Sequence, residues 1–234
     1  QQGYGLTEAS PLVSFNAPDD FKEATSGKVL PGGELRIAEL GEILYRGPNL
    51  MVGYWNHPEA TAEVIDDEGW LHTGDVGYVD TDGFLTITDR LKDIIVTLGG
   101  KNVAPQPIEG LILADPLFEH AVLLGDNRPY VTLLVKPSLP HVEALAAAAH
   151  WPGEIQDWLA SVELLDELKR RVAEITKRLP TQDQPKDTKV LNEEFTMDNG
   201  LLTPTLKVRR REVEARFKAL VDEMYARYER RGQD

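Results

Sequence analysis

Apolar and polar positions follow one texture in the first part of the chain and another in the second. Between residues 27 and 88, short β-like runs recur: Glu34 to Ala38, Gly41 to Arg46, Val76 to Val79 and Phe84 to Thr88. Gly32-Gly33, Gly47-Pro48 and Asp82-Gly83 punctuate them as turns, and one helical stretch falls near Pro58 to Ile65. A compact β-rich module is expected there. Past Asp89 the texture becomes mixed. Strand-like segments at Asp93 to Thr97, Ala121 to Leu124 and Val131 to Val135 are followed by helical periodicity over about 140–178 and 209–230. Leu179 to Asp187, rich in Pro, Gln and Asp, reads as the loop between them. In the final helix Val213, Phe217, Leu220, Val221, Met224 and Tyr225 share one face, a stripe that predicts core packing. The pattern predicts an α+β chain of two parts, residues 1–88 and 89–234.

Charge removes one class of partner. The chain of 234 residues carries 25 Lys and Arg against 39 Asp and Glu, a net charge of −14. Counterion-release binding to nucleic acid needs a basic surface, so nucleic acid is not an expected partner. With no Cys there is no disulfide, thiolate metal site or Cys nucleophile, and chemistry must rest on oxygens, amines and ions. No window approaches the roughly 18 apolar residues of a spanning helix, and no export signal is recognisable, so a soluble, cytoplasmic chain is expected. The chain enters at Gln1 directly into a Gly-rich segment without an initiating Met, which reads as a cut within a longer polypeptide.

Four segments carry chemistry. Tyr4-Gly5-Leu6-Thr7-Glu8 groups an aromatic face for a purine, backbone room, a hydroxyl for phosphate and a hard oxygen for Mg²⁺. A solvated loop with a helix-capping Thr would give the same letters. Gly69-Trp70-Leu71-His72-Thr73-Gly74-Asp75 ends in a carboxylate that can accept two hydrogen bonds from a ribose diol. His72 has no second His at metal spacing and reads as a structural hydrogen-bonding residue. Thr88-Asp89-Arg90-Leu91-Lys92-Asp93 places a charged joint between the two parts, before Gly99-Gly100-Lys101. That glycine pair is either a ligand approach or an ordinary hairpin turn. Leu202 to Arg211 sets Lys207 on a Pro-constrained loop before a helix, where the ordinary reading is a solvated surface charge.

In this order and spacing, YGLTE, GWLHTGD, DRLKDIIVTLGGKNVAP and LTPTLKVRR jointly resemble the adenylate-forming superfamily of acyl-CoA synthetases, luciferase-like ligases and peptide-synthetase adenylation domains. The last two wordings look most like bacterial long-chain fatty acid:CoA ligases, with TPTLK in place of the SGK of many relatives. The resemblance implies the distorted barrel-like end of a large N-terminal domain followed by a small mobile lid. It also implies roles. Tyr4 would stack on adenine beside Gly5, Thr7 would contact phosphate, and Glu8 would hold Mg²⁺. Asp75 and Arg90 would bind the ribose, and Asp89 would be the hinge. Lys207 would enter during adenylation, while Gly99, Gly100 and Lys101 would line the CoA channel. ATP, CoA and a long-chain fatty acid are the implied substrates.

The Gly/Ser/Thr-rich phosphate loop that relatives carry upstream of YGLTE has no match here, so this chain alone is expected neither to turn over nor to bind ATP tightly. Rival readings are a fatty acyl-AMP ligase, a peptide-synthetase adenylation domain, or a non-catalytic module. In the last reading, Lys207, Arg209, Arg210, Arg211, Arg216 and Lys218 would give peripheral contact with the inner face of a membrane.

Overall fold

Residues 2–231 are described by a computed structural model; Gln1, at which a cut was expected, lies outside the described residues. The chain divides into two compact units, Gln1–Ile94 and Ile95–Asp234.

In the first unit, strands β1 (Gly3–Tyr4), β2 (Ser14–Phe15) and β3 (Lys28–Val29) form a small antiparallel sheet in that order. A larger antiparallel sheet runs in the order β4 (Glu34–Ile37), β5 (Glu42–Arg46), β6 (Leu71–Val79), β7 (Leu85–Arg90). Helix α1 (Pro58–Val64) lies between β5 and β6, with Pro58 in its first turn, where a missing N–H costs nothing. The two sheets are stitched by Ser26 N–H donating to Leu85 O (2.7 Å) and Leu85 N–H to Gly27 O (2.9 Å). β5 is buried along most of its length because it is flanked by β4 and β6, and Tyr45 packs with Ala9 and Val13 into a local core. Among the described residues no closed barrel forms: β4 and β7 are the edges of an open sheet.

In the second unit, β8 (Ile95–Val96) and β9 (Asn102–Val103) make a hairpin ahead of α2 (Pro105–Leu113). A three-stranded sheet follows, in the order β10 (Phe118–Leu124), β11 (Thr132–Pro137), β12 (Thr188–Val190), with β10 antiparallel and β12 parallel to β11. Both faces of this sheet are covered. Ala121, Leu123, Leu133 and Val135 join one core with Ile108, Ile112, Leu164, Leu168 and Val172, whereas Val122, Leu124 and Leu134 join another with Val213, Val221, Met224 and Tyr225. Neighbours in a strand point to opposite faces, so two covered faces require an unbroken apolar run. This is why 121–124 and 131–135 lack alternation.

Two expectations need correction. The helical stretch over 140–178 is three helices, α3 (Leu139–Ala149), α4 (Ile155–Leu159) and α5 (Val162–Thr176). His150 takes a left-handed conformation (φ 55°) that ends α3, and Ser161 caps α5 by accepting from Leu164 N–H at 3.1 Å. The final helix is likewise two, α6 (Arg210–Arg216) and α7 (Lys218–Arg231), parted at Phe217. Helix α2 falls in a stretch for which no element was expected; Pro105 and Pro107 both sit in its first turn, where prolines fit. The stripe on the final helices packs as expected, with Val213, Val221, Met224 and Tyr225 buried and Phe217 and Leu220 against them.

Candidate functional site

Three sequence-distant residues of the first unit meet. Asp75 on β6 is paired in register with Arg90 on β7, and the guanidinium Nε donates to Asp75 Oδ1 at 2.7 Å. Tyr4 on β1 donates its hydroxyl to the other oxygen, Oδ2, at 2.6 Å. Burial, and then the bond to Asp75, push the Tyr4 phenol up from its ordinary value, so it stays a donor. Thr73 orients the turn before Asp75: its hydroxyl donates to Ile43 O (2.7 Å) and accepts from Asp75 N–H (3.1 Å). A buried carboxylate with two directed partners, one aromatic, is a preorganised acceptor for hydroxyl groups. His72 Nδ1 lies 3.0 Å from Glu42 Oε2, and Glu42 Oε1 also accepts from Gly74 N–H (3.2 Å).

Close packing fixes the segment that follows Tyr4. A Cβ on Gly5 would lie 1.8 Å from the Pro11 carbonyl oxygen, so no larger residue fits without moving the chain. Thr7–Ala9 is a single 3₁₀ turn on which Thr7 is exposed. Asn49 ties this turn to β5: it accepts from the Tyr45 hydroxyl and donates to Ala9 O and to Leu12 O (2.8 Å). Glu8 accepts from the Tyr54 hydroxyl through Oε1 at 2.7 Å, and this contact raises the Tyr54 phenol. Sequence reading missed Tyr45, Asn49 and Tyr54. The Gly47-Pro48 turn marked their neighbourhood but not their reach.

Asp89 is buried on β7 opposite Val76, and its Oδ1 accepts from Arg90 N–H at 2.8 Å.

In the second unit, Gly99, Gly100 and Lys101 form the exposed turn of the β8–β9 hairpin, closed by Gly100 N–H to Thr97 O (2.8 Å) and Thr97 N–H to Lys101 O (3.0 Å). Gly100 has φ 68°, and side-chain positions built on Gly99 or Gly100 would meet open space. Lys207 is on another turn. Thr203 N–H donates to Lys207 O (2.8 Å), Lys207 N–H donates to Thr203 Oγ1 (3.0 Å), and a Leu202–Val208 bridge closes the base. Lys207 is exposed, and its ammonium enters no ion pair among the described residues. Leu206, beside it, is held at φ 60° with its side chain exposed. The other basic residues here are mostly neutralised. Arg209 meets Glu212, Arg210 meets Glu109, Arg216 meets Glu193 and Lys218 meets Asp222.

Sequence comparison shows the family of the chain. Residues 92–229 match the family described as AMP-binding enzyme C-terminal domain, and residues 1–55 match AMP-binding enzyme. The chain belongs to the AMP-binding enzymes, the adenylate-forming superfamily. Among relatives of this AMP-binding chain, the long-chain-fatty-acid–CoA ligase FadD15 of Mycobacterium bovis is 39% identical over 226 residues, covering 96% of this chain and 38% of that protein. The human long-chain-fatty-acid–CoA ligase ACSBG1 is 32% identical over 249 residues, covering 95% and 34%. The chain therefore spans well under half the length of these relatives. Among solved AMP-binding structures, the A domain of carboxylic acid reductase from Segniliparus rugosus, in complex with AMP and a carboxylic acid, superposes with a TM-score of 0.70 at 25% identity, covering 97% of this chain and 35% of that one. O-succinylbenzoate coenzyme A synthetase from Bacillus subtilis, in complex with AMP, gives 0.62 at 26%, covering 90% and 40%.

Proposed function

We propose that this chain is the C-terminal part of an ATP-dependent long-chain fatty acid:CoA ligase. The observation that carries the reading is the convergence of Tyr4, Asp75 and Arg90 from three of the four motif segments. In the first step a fatty carboxylate oxygen attacks the α-phosphorus of ATP, and the bond to pyrophosphate breaks. In the second the CoA thiol attacks the acyl carbonyl, loses its proton and expels AMP.

Asp75 and Arg90 hold the ribose hydroxyls, Tyr4 covers adenine beside Gly5, and Thr7 donates to phosphate. Lys207 brings an ammonium to the acid and phosphate oxygens, where two anions must approach. Its exposure, and an ammonium that enters no ion pair among the described residues, suit that task. Gly99, Gly100 and Lys101 border the path of the CoA pantetheine arm. The chain's own offer to Mg²⁺ is modest: Glu8 keeps one carboxylate oxygen beyond the one bonded to Tyr54, and no cluster of three His, Cys, Asp or Glu able to hold a metal occurs among the described residues. That fits a Mg²⁺ carried by phosphates and touched by one carboxylate. When bound, it neutralises phosphate charge.

Residues from Asp89 onward act as a mobile lid that presents Lys207 in the first step and the Gly99-Gly100 turn in the second. Segments outside this chain complete the barrel-like end of the large domain. No helix among the described residues is long and apolar enough to cross a membrane, and the carboxylate pairing of Arg209, Arg210, Arg216 and Lys218 argues against the membrane-surface alternative.

The test is pyrophosphate and acyl-CoA formation from ATP, Mg²⁺, CoA and palmitate by the complete polypeptide that carries this chain, with the isolated chain alongside. Activity of the first and silence of the second is expected. Acyl transfer to a carrier protein but not to CoA would favour the acyl-AMP ligase reading instead.

A further inference from the structure

Glu8 is gripped at both ends by one loop. Met51 N–H donates to its backbone carbonyl at 2.7 Å, and the Tyr54 hydroxyl donates to Oε1 at 2.7 Å. The loop is itself anchored on α1. Tyr54 N–H donates to Thr61 Oγ1 at 2.9 Å, and that hydroxyl donates onward to His57 O at 3.0 Å. Gly53 lies so near that a Cβ there would approach the Thr61 side chain to 2.9 Å. A lone glutamate on a short turn is free to rotate about its side-chain torsions and to offer either oxygen. Here Tyr54 engages Oε1, which leaves Oε2 as the oxygen on offer.

We propose that Tyr54 is a positioning residue: by holding Oε1 of Glu8, it fixes the orientation in which Oε2 meets the divalent cation of the bound nucleotide. This rests on the reading of Glu8 given above. Partners that orient a metal-binding carboxylate typically contribute 10–100-fold to metal affinity. A single hydrogen bond from a partly exposed phenol belongs at the low end of that range.

The experiment uses the complete polypeptide and calorimetric titration with ATP, once with EDTA and once with Mn²⁺; the ratio of the two affinities isolates the metal contribution. Tyr54→Phe removes only the hydroxyl. It is expected to leave the metal-free affinity unchanged and to lower the ratio about tenfold. Thr61→Val, which loosens the loop without touching Glu8, should lower it by less. Glu8→Gln separates the two ideas. If the ratio falls in Glu8→Gln but not in Tyr54→Phe, the positioning role is overturned and the assignment of Glu8 stands. If neither variant changes the ratio, the assignment of Glu8 fails and the role of Tyr54 falls with it. An equal loss of affinity with and without Mn²⁺ in Tyr54→Phe would mean a merely structural contact and would also overturn the proposal.

Discussion

The two units hold their candidate chemistry in opposite ways. In the first, Asp75 is buried and both of its oxygens are engaged, one by Tyr4 from the smaller sheet and one by Arg90 on the neighbouring strand, whose backbone pairs with that of Asp75. In the second, Lys207 and the Gly99-Gly100 pair stand on exposed turns whose backbones are closed by their own hydrogen bonds. Beneath those turns the sheet is buried on both faces. The contrast matches two tasks. A group that recognises a ligand in place gains from preorganisation, because its partners are already oriented. A group that must arrive and leave gains from a rigid base and a free tip.

The largest effect should come from undermining that base. Leu133 is wholly buried in the core that α2 and α5 share, so Leu133→Ala is expected to lower the urea-unfolding stability of the second unit by about 2–5 kcal/mol. A loss below about 1 kcal/mol would mean that the exposed turns do not rest on a tightly packed sheet. Next is the preorganised carboxylate. Asp75→Asn keeps the shape but weakens charge-assisted bonds, and should cost the complete polypeptide about 1.5–3 kcal/mol in ATP affinity by calorimetry. Unchanged affinity would remove Asp75 from the nucleotide site.

A smaller effect is expected at Leu206, which an L-residue occupies at positive φ beside Lys207. Leu206→Gly relieves that backbone cost and should raise the thermal midpoint slightly, by no more than about 1 kcal/mol of stability. A clear loss would show that the side chain packs on something. The smallest effect lies on α5. Arg170 first, and then Arg171, hold the Glu167 carboxyl down from 4.5 to about 2. Because this value is depressed in the folded chain, its contribution is fully present above about pH 4.5 and is lost as the pH falls toward 2. Arg170 is exposed and Glu167 partly so, and solvent screening should hold the cost of Glu167→Gln below about 1 kcal/mol near neutrality, a cost that shrinks toward zero as the pH falls through about 2, read from unfolding at several pH values. A cost that grows on acidification would reverse the sign and contradict the pairing.

The same contrast governs how far the fold and site could be read from sequence. Strands β4, β5 and β7 were legible because their turns carry Gly and Pro, and β10 and β11 because apolar runs survive burial on both faces. The helix break at Phe217 was not, since Phe does not signal a stop, whereas the break after His150 is marked by Pro152-Gly153, a signal that the reading of 140–178 as one helical stretch passed over. The two-residue strands β1, β2 and β3 are set by tertiary pairing, which no short window encodes. At the site, Tyr4, Asp75 and Arg90 could be named from motifs, but their mutual bonds could not, because they are separated by 71 residues in the first case and by a strand register in the second. Tyr54 and Asn49 carry no motif at all; only the folded chain brings them to Glu8 and Ala9. The buried Lys136 was likewise invisible. Burial alone would pull its ammonium down, but Glu119 and Glu194 outweigh this and hold it above its ordinary value.

The proposal that an exposed ammonium serves one step and not the other is tested most directly by Lys207→Ala in the complete polypeptide. Pyrophosphate release from ATP and fatty acid should fall by about a hundred- to a thousand-fold, the usual loss when one preorganised charge is removed from a transition state. Thioester formation from CoA and supplied acyl-adenylate should continue near the parental rate. An equal loss in both half-reactions, or none in either, would contradict the account.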